Sequence, residues 1–152
     1  MPNNLEDMLK DKLKADSVTA LKSGDNLKVE RLRYLISLID QKELTLPMGQ
    51  LTETDEIMVL QKELKNKEES RLLFLKGKRL DLVTALDEEI ELLKSYLPQM
   101  MTVEEITALV GEMRANLGND FGAIMRAVKN QTGGRASGEL IARIIKEQLS
   151  GE

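Results

Sequence analysis

With 152 residues, the chain is long enough to bury a core as one ordinary domain or two small helical ones. Charged residues make up 32% and aromatics only 3%, a balance that favours helices because strands are rich in aromatic and β-branched side chains. There is no His and no Cys, and the net charge of −4 repels nucleic acid at long range, so any RNA contact has to be local.

Leu5, Met8, Leu9 and Leu13 begin a helical stripe that extends to Leu21, where Ser23, Gly24 and Asp25 supply stop and restart signals. Val29, Leu32, Ile36 and Ile39 recur at steps of three and four and predict a second helix, interrupted at Leu46-Pro47-Met48-Gly49. Thr52 or Thr54 can cap a third helix carrying Ile57, Leu60 and Leu64. This helix then runs through a highly charged stretch to Leu72, Phe74 and Leu75, and its middle is expected to face solvent. After Gly77, the positions Val83, Leu86, Ile90, Leu93 and Leu97 form a heptad seam that stops at Pro98.

Thr102 and Glu105 form a capping box, with Met101 placed to staple onto Ile106, so a new helix starts here. Its stripe is Val103, Ile106, Val110, Met113 and Leu117, and Gly118 suits a left-handed C-terminal residue. Asp120 can cap a helix bearing Phe121, Ile124, Met125 and Val128, and Ser137 can cap another bearing Leu140, Ile141, Ile144, Ile145 and Leu149. The expected architecture is all-α, with an N-terminal helical bundle over residues 1–98 and a small C-terminal three-helix domain over 99–152.

The missing His and Cys remove Ser-His and Cys-His nucleophilic pairs, the usual zinc ligand sets, and the Glu-x-x-His pairs of di-iron bundles. No phosphate loop of the G-x-x-x-x-G-K-S/T type is present. Asp87, Glu88, Glu89 and Glu91, or Lys62, Lys65 and Lys67, are nominal catalytic groups, but isolated charges on helices are more often a solvated face. The eight methionines are expected to fill core space. No catalytic centre, cofactor, metal or membrane partner is expected. The N-terminus lacks the pattern of a signal peptide and no apolar run exceeds the four residues 72–75, so the expected location is the cytoplasm.

Three ordered segments carry a family resemblance: Tyr96-Leu97-Pro98-Gln99-Met100-Met101-Thr102-Val103-Glu104-Glu105-Ile106, Asn119-Asp120-Phe121-Gly122-Ala123-Ile124-Met125, and Gly134-Arg135-Ala136-Ser137-Gly138. Together with Arg31-Leu32-Arg33, Gln61-Lys62-Glu63-Leu64-Lys65 and Glu69-Ser70, they resemble the YqeY family and the tail of the GatB subunit of tRNA-dependent amidotransferases. The resemblance implies a bundle joined to a small three-helix domain, and a tRNA-associated accessory role in which catalysis belongs to other modules. The chain departs from the family pattern at Asn119 and Gly133, where lysine is common, and at Ser137, where Asp is.

The candidate phosphate-binding residues are Gly133, Gly134 and Arg135, before a helix N-terminus where backbone N–H groups and a guanidinium can face a phosphate, with Arg126, Lys129, Arg143 and Lys146 nearby. Residues 118–146 hold five basic and two acidic side chains, a local reversal of the overall sign. The same glycines and Ser137 can equally serve as helix stop and cap, with Arg135 pairing to a carboxylate or helix end. The competing function is a protein–protein interaction module using the charged stretch Lys62 to Arg71 or the apolar seams.

Overall fold

The computed structural model describes residues 8–151, so Leu5 lies outside the described residues. Among these residues the chain forms α1 (Leu9–Ser23), α2 (Asn26–Leu44), α3 (Glu53–Lys76), α4 (Leu80–Lys94), α5 (Val103–Leu117), α6 (Phe121–Thr132) and α7 (Gly138–Ser150), with no strand. The fold is all-α. None of these helices is long and apolar enough to cross a membrane. Packing divides the chain into two compact units, Met1–Pro98 and Gln99–Glu152.

In the first unit, α1 packs on α2 and α3 packs on α4, and the two hairpins join mainly through α2 and α3. Leu13, Leu32, Ile39, Leu60 and Leu93 are completely enclosed at their junction. Burying each such side chain is worth about 1.5–3 kcal/mol. In α2 the buried stripe runs through Leu35, whereas the expected Ile36 packs only at the margin of the core. The α4 seam buries Val83, Leu86, Ile90 and Leu93, but the helix ends at Lys94, before the expected Leu97. Pro98 has no N–H and disfavours helical geometry at the residue before it, so the chain leaves the helix in successive turns. Those turns bury Tyr96, whose hydroxyl donates to Asp16 of α1 while Lys12 Nζ lies 5.5 Å from the ring centre.

In the second unit, α5, α6 and α7 pack mutually around Ile106, Val110, Ile124, Val128, Ile141 and Ile145. Both ends of the expected α5 stripe, Val103 and Leu117, are exposed, and Leu109 packs against the core in their place. Gly118 has φ 78° and ψ −149°, a region open essentially to glycine alone and outside the expected left-handed helical one. No described methionine is buried. Leu, Ile and Val fill both cores, and the methionines lie at their margins or in solvent, contrary to their expected core-filling role.

Local caps start most helices. Thr52, rather than Thr54, caps α3, and its reciprocal partner is Asp55: Thr52 Oγ1 accepts from Asp55 N at 3.1 Å while Thr52 N donates to Asp55 Oδ2 at 3.0 Å. Helix α1 is different. Met8 offers it no side-chain cap, and its first N–H groups are met by Glu56 of α3. Leu9 N donates to Oε1 at 3.1 Å and Lys10 N to Oε2 at 2.8 Å. Glu56 is 0% exposed, yet both its oxygens are satisfied.

Burial raises the Glu56 pKa above the ordinary glutamate value, and the two backbone donors offset part of that rise. A raised folded-state pKa means that the group's stabilising contribution is complete below the ordinary value and is lost as pH rises through the raised one. Glu56→Ala should destabilise the fold by about 1.5–3 kcal/mol through the loss of charge-assisted hydrogen bonds. Relative to Glu56→Gln, the native chain should lose stability between mildly acidic and neutral pH. Urea denaturation across that range would measure both effects.

Candidate nucleic-acid interface

The α6–α7 hairpin turns through Gly133 and Gly134, at φ 54° and 89°. Gly133 N donates to Lys129 O at 3.2 Å, and Arg135 N donates to Thr132 O at 2.9 Å. The buried Thr132 closes the same turn through Oγ1 to Lys129 O. These N–H groups therefore satisfy the end of α6 and are not directed at a ligand. Ser137 Oγ accepts from Leu140 N at 3.1 Å and caps α7.

Arg135 is exposed but engaged. Its Nε donates to Gln99 O at 2.9 Å, and its carbonyl accepts from Met101 N at 2.9 Å, so the residue clamps the α6–α7 turn to the segment entering α5. Glu105, the α5 capping-box acid, has its pKa lowered first by the Thr102 backbone N–H, then by the Thr102 side chain, with the nearby positive charge of Arg135 adding to the effect. Arg135 thus does structural work beside a helix N-terminus and keeps its terminal guanidinium nitrogens for other partners.

The remaining candidates lie along the hairpin. Arg126 folds back over the first turn of α6, where a Cβ on Gly122 would sit 3.5 Å from its Nη1. Lys146 of α7 reaches the same turn, with Nζ 6.0 Å from the Phe121 ring centre. Lys129 stands in the last turn of α6. Arg143 shares a shallow face of α7 with Lys146, and Glu139 and Glu147 border it. Arg126 and Lys146 therefore each reach the first turn of α6, while Arg135 sits at the far end of that helix, about 18 Å away at 1.5 Å per residue. The candidates form a dispersed row and do not converge on a single phosphate cradle. Among the described residues, none of the five cations pairs with a carboxylate.

A family model described as Yqey-like protein matches residues 10–149. The chain belongs to the YqeY family. Comparison with curated proteins found no match.

In the first unit of this YqeY chain, several charges are paired, some of them across helices. Lys67, expected on a solvated face, is only 12% exposed. It lies between Glu63 at 3.2 Å and Glu89 at 3.7 Å, and 5.5 Å from the Tyr34 ring centre, because α2 and α4 flank it. Asp87 bonds Arg71 and Glu88 faces Arg31 at 3.5 Å, so these nominal catalytic carboxylates link α4 to its neighbours. Among the described residues no group of acids is arranged to hold a metal ion. Sequence reasoning missed two supporting residues. Arg114 donates from Nη1 to Gln148 O at 3.0 Å and from Nε to Asn119 Oδ1 at 2.9 Å, tying α5 to the end of α7, and Gln148 Nε2 returns a bond to Thr107 O.

The turn's geometry implies that Gly134→Ala, which forces a side chain into positive φ, will destabilise the protein by about 1–2 kcal/mol. Arg135→Ala should cost about 1 kcal/mol through loss of the Gln99 bond. Thermal melts of the two variants would test the clamp, and an unchanged Arg135→Ala midpoint would contradict it.

Proposed function

We propose that this YqeY chain is a non-catalytic, tRNA-associated accessory protein whose C-terminal unit holds structured RNA by its phosphates. The observation that carries the reading is the row of exposed cations Arg126, Lys129, Arg143 and Lys146, without carboxylate partners among the described residues, on a segment with five basic and two acidic side chains. Arg135 closes the row and holds the turn in shape. Unpaired, solvated cations spaced along a rigid hairpin suit successive phosphates, since each contact releases counterions without first breaking an internal ion pair. The resemblance to the GatB tail points to tRNA as the RNA. A cytoplasmic location accords with this role.

A protein-interaction module is the second reading. It is favoured by the groove between α2 and α3, about 670 Å³ in volume, whose wall includes Leu38, Val59 and the exposed Met58. Fluorescence titration with tRNA separates the two. About three phosphate contacts should give a slope of log affinity against log salt near −2 to −3. Arg126→Ala combined with Lys146→Ala should reduce that slope by about 1 to 2. Undetectable binding at low salt would reject the RNA reading and leave the protein-interaction one.

A further inference from the structure

The first unit holds a cleft that neither functional reading uses. Leu27, Glu30, Arg31, Tyr34 and Leu35 recur at the spacing of one helix face, and this face of α2 lines the cleft together with Glu89 and Leu92 of α4 and Lys67 of α3. Its volume is about 360 Å³, at the small end of the roughly 300–1,000 Å³ usual for ligand sites. It is separate from the groove between α2 and α3, although Tyr34 borders both.

The charges in the cleft select the ligand. Lys67 is neutralised by Glu63 and Glu89. Arg31 is less well matched: its side chain is 18% exposed, and its carboxylate contact, from Nη1 to the exposed Glu88, is 3.5 Å long. A charge-assisted hydrogen bond is about 2.7–2.9 Å, and a guanidinium has several N–H donors to make it. Glu30, the adjacent residue, is exposed and pairs with no cation among the described residues. The cleft therefore suits an anion at Arg31 and a cation at Glu30, side by side. A phosphate or other multiply charged anion is disfavoured by the carboxylates of Glu30, Glu88 and Glu89. An amine alone leaves the guanidinium unmatched. A peptide terminus brings one of the two charges, whereas a free α-amino acid carries both on one carbon with no net charge. The exposed Leu27, the buried Leu35 and the half-buried Leu92 give the cleft an apolar side, which suits an apolar side chain.

We propose that this cleft binds a free α-amino acid with an apolar side chain, its carboxylate on Arg31, its ammonium on Glu30 and Glu89, and its side chain against Leu27, Leu35 and Leu92. The site lies wholly within the first unit and is independent of the RNA reading.

The test is isothermal titration of the full chain with L-leucine, L-methionine and L-phenylalanine. At least one should bind saturably with a Kd of about 1 mM or tighter. For the best of them, the N-acetyl derivative, which lacks the ammonium, and the amide, which lacks the carboxylate, should each bind about tenfold more weakly or worse. Glycine, which lacks the apolar side chain, should also be weaker. Arg31→Gln should weaken binding about tenfold or more with an unchanged circular dichroism spectrum. Glu30→Gln changes an exposed, unpaired side chain, so it leaves the fold intact and should weaken binding about fivefold; it decides the matter if Arg31→Gln does not fold. Absence of saturable binding by all three amino acids, equal binding of either derivative, or affinity unchanged in Glu30→Gln would each overturn the proposal. Inorganic phosphate that binds and displaces the amino acid would overturn it in favour of a simple anion site.

Discussion

The governing constraint in this protein is the satisfaction of helix N-termini. Each helix leaves backbone N–H groups without an internal acceptor, and six of the seven helices among the described residues meet that demand with a side-chain acceptor. Asp25, Thr52, Thr102, Asp120 and Ser137 meet it locally. At α1 the acceptor comes from 47 residues away, as the Glu56 carboxylate. One side chain thereby caps one helix, sets the position of α3 against α1, and places a desolvated acid beside the main core. Capping at that junction is a tertiary interaction, so α1 depends on the start of α3 for its first acceptors.

The same logic explains the turn that carries Gly134 and Arg135. Gly133 and Gly134 bring the chain out of α6 while Thr132 and the backbone close its last carbonyls. Arg135 then bridges the turn to the segment ahead of α5. A motif that looks suited to gripping an anion is in this arrangement largely occupied in holding three helices together. The cations free to meet a phosphate are instead on the flanking helical faces. In the proposed reading, positioning and binding are divided between neighbouring residues of one hairpin, Arg135 holding the turn and the flanking cations facing solvent.

Charge placement differs between the two units. In the first, Lys67, Arg31 and Arg71 find carboxylates on neighbouring helices, and Lys67 is nearly enclosed. Such pairs specify which helix faces meet more than they add stability, since desolvation cancels much of the Coulomb gain. In the second, Arg126, Lys129, Arg143 and Lys146 have no such partners among the described residues. Total charge conceals this contrast.

Local chemistry made the all-helical class, the helix stops at Gly24 and Gly118, and the caps at Thr102, Asp120 and Ser137 readable from the sequence, because each depends on residues within one turn of one another. Apolar spacing also located Leu32, Leu60, Leu93, Ile106 and Ile145 in the cores, since a stripe has only one face to bury. Periodicity could not choose between adjacent candidates such as Leu35 and Ile36, or show that Val103, Leu117 and the methionines stay outside, because that depends on where a neighbouring helix ends. For the candidate site, the sequence supplied the basic residues but not their grouping. Glu56 capping α1, Lys67 covered between two acids, Arg135 bound to Gln99, and Lys146 reaching Phe121 at the start of α6 were decided only by tertiary structure. Each joins groups far apart in the chain or reaches over a neighbouring turn, and it is the packing of helices that turns an ordinary charged side chain into a cap, a clamp or a covered pair.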